Sequence, residues 1–376
     1  MIPVYAIAAH IVSPLGMDVS AHWQAVATGR SGIREHHDVS LSPGPFWGAV
    51  LEPQQWQLIH AQARSNGSLS SFEQLALYSA RTALQQCEEM PDPAKTAFIL
   101  STTKGNIELL GQAPEERLYL HHSAAVIAGA LGLSSTPFTI SHACVSGVVA
   151  LQHGLRLIRS GRYDHVIVTG CDRFTQFVLS GFQSFQAVAP GPCRPFDAAR
   201  QGINLGEAAA TIILSRGQEN EPLAQLVSGA TSNDANHISG PSRTGEELAM
   251  AIDRALATAG VAAQDIGMIS AHGTATLYND EMESKAFAVS NLLHAPVHSM
   301  KGYVGHTLGA AGVLESVMII EALRQQQLIP SAGFETLGVP VPILVTRAMQ
   351  PAGLRYVLKT ASGFGGCNAT AVWGRD

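Results

Sequence analysis

Charge is scarce in this chain of 376 residues: Asp, Glu, Lys and Arg make up only 14% of it, against roughly 25% in an ordinary soluble domain. So little charge predicts that part of the surface is hidden in an oligomer. There is no basic run, and the formal net charge is −6, which argues against nucleic acid as a partner. No apolar stretch reaches the roughly 18 residues that a membrane span requires. The five cysteines, Cys87, Cys144, Cys171, Cys193 and Cys367, are scattered without a C-x-x-C pair. Neither a zinc knuckle nor dithiol redox chemistry is expected of them, and a reducing cytoplasm suits them best. The opening MIPVYAIAAHIVSPLG lacks a positive leader and is broken by a Pro-Leu-Gly turn, so it reads as a first strand.

What is present is apolar residues, 46% of the chain, and 36 glycines, enough to bury a large core and to let backbone approach a ligand closely. Short β-rich runs alternate with helical stretches: TAFILST before KGNIELLG, FTISHA before a periodic helix, HVIVTGC after it. This is α/β order. AATIILSR then gives way to the polar GQENEP, which places a boundary between two halves around Gly217 to Pro222. Beyond it, ELAMAIDRALATAG predicts a helix stopped by Gly260, IGMISAHGTA a strand entering a loop, and APVHSMKG another such pair. GVLESVMIIEALRQQQ is helical, with Val313, Val317, Ile320 and Leu323 on one buried stripe.

Residues Val145 to Ser160 predict a helix, because Val148, Leu151, Leu155 and Ile158 recur at helical spacing and Gly161 can cap the end. Cys144 then falls at the helix N-terminus, where unpaired amides and the positive end of the dipole favour the thiolate that attacks carbonyl carbon. The plainer alternative is a small buried filler, which suits Cys171 and Cys193 better. His272, in SAHGTATLYND, follows a strand, and His306, in SMKGYVGHTLGAAGVLE, precedes a helix. Both sit among small residues that leave room for a ligand. His36, His37, His121 and His122 lack such surroundings and read as ordinary core or surface histidines.

Five ordered motifs run along the chain after IVSPLGMDVSAHWQAVATGRSGI: SHACVSG, CRPFDAARQGINLGEAAA, AHGTATLYNDEMES, MKGYVGHTLGAAGVLE and GFGGCNATAVW. Together they resemble the β-ketoacyl-acyl-carrier-protein synthases, the condensing enzymes that elongate fatty acyl and polyketide chains. The likeness covers nearly the whole chain. It implies a thiolase-like, layered αβαβα fold of two pseudo-equivalent halves, residues 1–219 carrying the cysteine and 220–376 the two histidines. It implies decarboxylative condensation of a malonyl thioester with an acyl group held on the enzyme, with no metal and no organic cofactor. Substrates would arrive on the phosphopantetheine of an acyl carrier protein, and the chain would form a homodimer, or a heterodimer with a similar chain.

By position in these motifs, the resemblance makes Cys144 the acyl acceptor and His272 and His306 the paired donors that stabilise the enolate. Lys301 would tune local charge and Glu315 would hold it. Backbone amides of Cys144 and Phe364 would bind the tetrahedral oxyanion, with Phe364 and Gly365 in the gating loop. Thr274 and Thr276 match hydroxyls that contact pantetheine, though local turn bonds compete for them. Arg64, Arg159 and Arg162 are candidates for receiving an acidic carrier, and the latter two could equally serve the end of their helix. The sequence departs from the family pattern at its opening strand, at His142 and at Cys367. Two other functions remain: an acyl hydrolase or thioesterase with Cys144, His272 and Asp280 or Asn279 as a triad, and a pocket-shaping subunit of a ketosynthase heterodimer.

Overall fold

A computed structural model of the chain describes residues 2–63, 69–217, 221–234 and 240–375. The expected boundary at Gly217 to Pro222 falls partly outside them, at residues 218–220. Two sets of strands form the centre. The first comprises β1 (Tyr5–Val12), β2 (Thr96–Ser101), β3 (Phe138–Ile140), β4 (His165–Asp172) and β5 (Ala208–Ser215). The second comprises β6 (Ala224–Asn233), β7 (Ile266–Ser270), β8 (Pro296–His298), β9 (Tyr356–Gly363) and β10 (Cys367–Gly374). Across the sheet the order is β3-β2-β4-β5-β1 in one set and β8-β7-β9-β10-β6 in the other. The directions repeat too: β3, β2 and β4 run parallel, as do β8, β7 and β9, while β5 and β10 run antiparallel to both their neighbours. The sets join where β1 pairs antiparallel with β6, Tyr5 opposite Gln225 and Ala6 opposite Ala224.

Helices sort into three layers around these strands. Helix α1 (Ser71–Leu84), opened by a reciprocal Ser70–Glu73 capping box, and α2 (Leu120–Ala130) cover the outer face of the first set. Helices α3 (Ser146–Arg159) and α6 (Ala311–Gln325) lie in the middle, while α4 (Glu246–Ala259) and α5 (Leu277–Val289) cover the outer face of the second. Strands buried on both faces carry apolar runs in place of alternation: in β2, Ala97 and Ile99 meet the middle helices while Phe98 and Leu100 meet the outer ones. Helix α6 is buried from Ala311 to Leu323 all the way round. The four residues expected to form a stripe are buried, and so are Leu314, Met318 and Ile319 between them, because both strand sets press on this helix.

Most expected elements are present, including the αL stop at Gly260, φ +68. KGNIELLG is an exception, forming only a 3-10 turn at Ile107–Leu109. Its approach is fixed instead by the buried Asp172 carboxylate, which accepts the amides of Thr103 and Lys104. The two middle helices cross at glycine. A Cβ on Gly147 would lie 2.8 Å from the amide nitrogen of Val313, and one on Gly312 would lie 2.5 Å from that of Val148. Backbone meets backbone there, and neither side can yield.

Two predictions follow from this packing. Gly312→Ala is expected to overpack the crossing and cost about 1–3 kcal/mol, read as a lower urea midpoint at unchanged slope; an unchanged midpoint would mean the helices are free to separate. The second concerns acid. His10 and His22 are buried, bonded to Ser79, Met17, Ser13 and Asp18, and burial lowers each from 6.5 to about 4. Between these values the unfolded chain binds more protons than the folded one, so their contribution is complete above pH 6.5 and is lost as pH falls towards 4. Melting temperature should fall over that interval, and the fall should be shallower in His22→Gln.

Candidate active site

Three loops at the carboxyl ends of parallel strands supply the site. Between β3 and α3 the chain turns through Ala143 at φ +44, a left-handed conformation that costs a residue with a side chain roughly 1–3 kcal/mol. Ser146 holds the turn, its Oγ accepting the His142 amide at 2.7 Å and donating to the Ala143 carbonyl at 2.6 Å. Cys144 is thereby presented just before the helix, buried at the wall of a cavity of about 710 Å³. His272 follows β7 and His306 follows β8, and both rings line the same cavity. The Cys144 Sγ and one ring nitrogen of each histidine lie within 4.8 Å of one another. The imidazoles meet edge to face, with centroids 5.2 Å apart.

Each histidine is held through its backbone. The carboxylate of Glu283 on α5 accepts the amides of His272 and Gly273 at 2.8 and 2.7 Å. On the other side, Lys301 Nζ donates to the His272 carbonyl at 2.6 Å, and Lys359 Nζ donates to those of Ser270 and Ala271 at 3.1 and 3.3 Å. Both ammoniums close on Glu315 of α6, Lys301 at 2.8 Å from Oε1 and Lys359 at 2.6 Å from Oε2. The His306 amide donates to the Asn204 carbonyl at 2.7 Å. Its ring Nδ1 accepts the Leu308 amide at 3.2 Å, so the proton sits on Nε2. That Nε2 and the Nδ1 of His272 are buried without a hydrogen-bond partner among the described residues.

Burial sets the protonation states. It holds both histidines well below 6.5, reinforced by the nearby Lys301 charge, so both are neutral at physiological pH. Burial raises Glu315, but the two ammoniums outweigh it and bring the carboxyl down to about 2. The cysteine corrects an expectation. Burial pushes its thiol up to about 11, although Lys301 and the Phe364 amide pull the other way. The resting residue is a thiol, because desolvation outweighs what the helix end and one ammonium supply.

Phe364 is not a core aromatic. It is 38% exposed at the cavity mouth, stacked on Phe182 at 5.9 Å and edge-on to Phe185 at 5.4 Å. Its amide lies close enough to Cys144 to favour the thiolate, against the larger effect of burial. Gly365, at φ +88, lies outside the cavity lining, where Gly366 stands instead. Thr274 and Thr276 line the cavity while bonding one another, Oγ1 to Oγ1, at 2.8 Å. The proposed hydrolase triad fails on geometry: Asp280 accepts the amides of Phe196 and Thr274, and Asn279 donates to Asp280 and Glu283. Arg159 donates to the carbonyls of Ile2 and Val227 at the far end of α3 from Cys144, roughly 20 Å away, so it ties structure together there. Arg162 stacks on Tyr163, and Arg64 lies outside the described residues.

Sequence reasoning missed Lys359, Glu283, Ser146 and Asn204. Glu283, Asn204 and Ser146 all stand inside the sequence motifs without a role assigned to them. Lys359, in the strand YVLKTASG, had no signal beyond being a charge in an apolar run. Chemically, the site offers a sulfur nucleophile, a backbone amide beside it and two neutral imidazoles, which suits thioester acyl transfer and enolate stabilisation. The same sulfur and nitrogens could close on a soft divalent ion, but that would occupy the nucleophile.

Residues 1–220 match the β-ketoacyl synthase N-terminal domain, and residues 223–335 its C-terminal domain. A putative polyketide β-ketoacyl synthase 1 of Streptomyces cyaneus is 35% identical over 403 residues, spanning 96% of this chain and 95% of the relative. The 3-oxoacyl-[acyl-carrier-protein] synthase 2 of Mycobacterium leprae is 27% identical over 401 residues, spanning 97% and 94%. Among solved structures, the ishigamide ketosynthase/chain length factor superposes with a TM-score of 0.88 at 27% identity, covering 100% of this chain and 99% of that one. With domain matches along most of its length and a relative this similar, the chain belongs to the β-ketoacyl synthase family of condensing enzymes.

Proposed function

We propose that this condensing enzyme works through Cys144, His272 and His306 on substrates delivered by an acyl carrier protein. The observation that carries the reading is the meeting of one sulfur and one ring nitrogen from each of two imidazoles within 4.8 Å, in a cavity of about 710 Å³. In the first half-reaction the Cys144 sulfur attacks an acyl-carrier thioester, and its proton leaves with the departing carrier thiol. The amides of Cys144 and Phe364 hold the tetrahedral oxyanion. In the second, malonyl-carrier loses carbon dioxide, and the electron pair of the broken C–C bond becomes an enolate. The Nε2–H of His306 and an N–H of His272 hydrogen-bond its oxygen, where neutral donors suffice. The enolate carbon then attacks the acyl-cysteine, forming the new C–C bond and releasing the sulfur, which takes up a proton.

Lys301 and Glu315 support His272 from behind, Phe364 and its glycine loop gate the mouth, and Thr274 and Thr276 meet the pantetheine arm. The reading calls for no metal or organic cofactor. The two halves divide at residues 219 and 220. The working unit is a dimer in the cytoplasm, with either a second copy or a similar ketosynthase-like chain as partner; intact-assembly mass after co-expression distinguishes these. No helix among the described residues is long and apolar enough to cross a membrane.

Intact-mass measurement with acyl-carrier and malonyl-carrier tests the assignment. Cys144→Ala should show no acyl-enzyme. His306→Ala should load acyl groups at nearly the parental rate yet decarboxylate malonyl-carrier about 10²–10³-fold more slowly. Normal acylation of Cys144→Ala would sink the nucleophile assignment, and release of free acid without a condensed product would point to hydrolysis. Since both imidazoles keep neutral forms until well below pH 6.5, the decarboxylation rate should be flat between pH 6.5 and 8; a titration of activity near 6.5 would mean that an imidazolium takes part.

A further inference from the structure

We propose that Lys359 is a positioning residue for the decarboxylation half of the reaction: its ammonium fixes the strand end from which His272 projects. This rests on the reading of His272 as an enolate donor. Lys359 is a member of β9 and is fully buried. Its Nζ reaches the Glu315 carboxylate and the carbonyls of Ser270, Ala271 and Thr360, the last at 2.6 Å. Ser270 and Ala271 immediately precede His272, whose own carbonyl goes to Lys301. Three successive carbonyls are therefore gripped by two ammoniums, and both ammoniums are anchored to one carboxylate on the middle helix. Glu283 takes the amides of the same segment, and its other oxygen contacts include Thr360 Oγ1 at 2.8 Å, next to Lys359 in sequence.

A second carboxylate partner for a single lysine would be ordinary; a second lysine on a single buried carboxylate is not, because each ammonium raises the cost of the other. Burial and the Lys301 charge accordingly lower Lys359, while Glu315 and Glu283 oppose them. The neighbouring His298, opposite Ser270 in register as Lys359 is on the other side, is neutral and buried. Removing the ammonium takes one donor from each of the carbonyls of Ser270 and Ala271 and leaves Glu315 with Lys301 alone. The segment then loses its grip at the two residues that aim His272. Cys144 sits on a different loop, held by Ser146, and does not depend on that grip.

The test separates the half-reactions in the full-length protein, using acyl-carrier loading read by intact mass and decarboxylation read as carbon dioxide release from malonyl-carrier. Lys359→Gln should load Cys144 within about twofold of the parent but lose roughly tenfold or more in decarboxylation kcat, with KM little changed, as expected when a reacting group is misplaced rather than a binding contact removed. Equal losses in both half-reactions, or none in either, overturn the proposal. Should Lys359→Gln not fold, Lys359→Arg decides: it keeps the charge but has a wider planar head, so a selective loss of about threefold or more in decarboxylation is expected, and parallel or absent losses again overturn it. A parent that neither acylates Cys144 nor decarboxylates malonyl-carrier defeats the underlying functional reading instead, and this proposal falls with it.

Discussion

The molecule is organised around one close approach. Helices α3 and α6 touch backbone to backbone where Gly147 faces Gly312, and neither residue carries a side chain that could hold them apart. Cys144 precedes the first helix by two residues, and His306 precedes the second by five. Bringing the helix ends together therefore brings the sulfur to the imidazole. The repeat in the sheet makes this geometry inevitable: β3 and β8 hold the same place in the order of their sets, and each feeds one of the two middle helices. His272 arrives from the neighbouring strand of its own set. The candidate catalytic cluster, built from three distant segments, thus follows from packing two similar halves face to face around a pair of shared helices.

Burying such a cluster has an electrostatic consequence. In a medium of low dielectric every ion needs a partner, and the site meets this need by giving the charges behind its histidines to the scaffold. Lys301, Glu315 and Lys359 pair among themselves, and Glu283 takes backbone amides. The groups proposed to react remain neutral: a thiol and two uncharged imidazoles. Fixed ions hold the backbone that carries them, so the field in the cavity is set before substrate enters.

Motif order and periodicity made the chemical core legible. The helix after Cys144, the loop at His272 and the Lys301–Glu315 pair all sit in short local signatures whose meaning does not depend on distant parts of the chain. What escaped was relational. Lys359 is one charge in a strand until the carbonyls of Ser270 and Ala271 turn towards it. Ser146 looks like a small residue until Ala143 is seen to need support at φ +44. Helix α6 reads as amphipathic because periodicity shows one partner, whereas two strand sets enclose it. The short 3-10 turn within KGNIELLG has the same origin, since the local preference for helix lost to the carboxylate of Asp172, 69 residues from Thr103 in the chain.

The protonated cysteine deserves to be set beside its neighbours. In a cysteine hydrolase the sulfur and imidazole rest as an ion pair, with the proton already transferred. Here burial raises the thiol and lowers both imidazoles, so the transfer is opposed at both ends and the neutral pair is favoured. In the proposed acylation the proton moves during the attack, from sulfur towards the departing thiol, without a standing imidazolium. Such a site leaves two imidazoles uncharged and free to donate when the enolate forms. It also leaves no imidazole already protonated to assist expulsion of a thiol in favour of water. The same desolvation that keeps the Cys144 sulfur protonated thus sets this site apart from an ion-paired cysteine–histidine site.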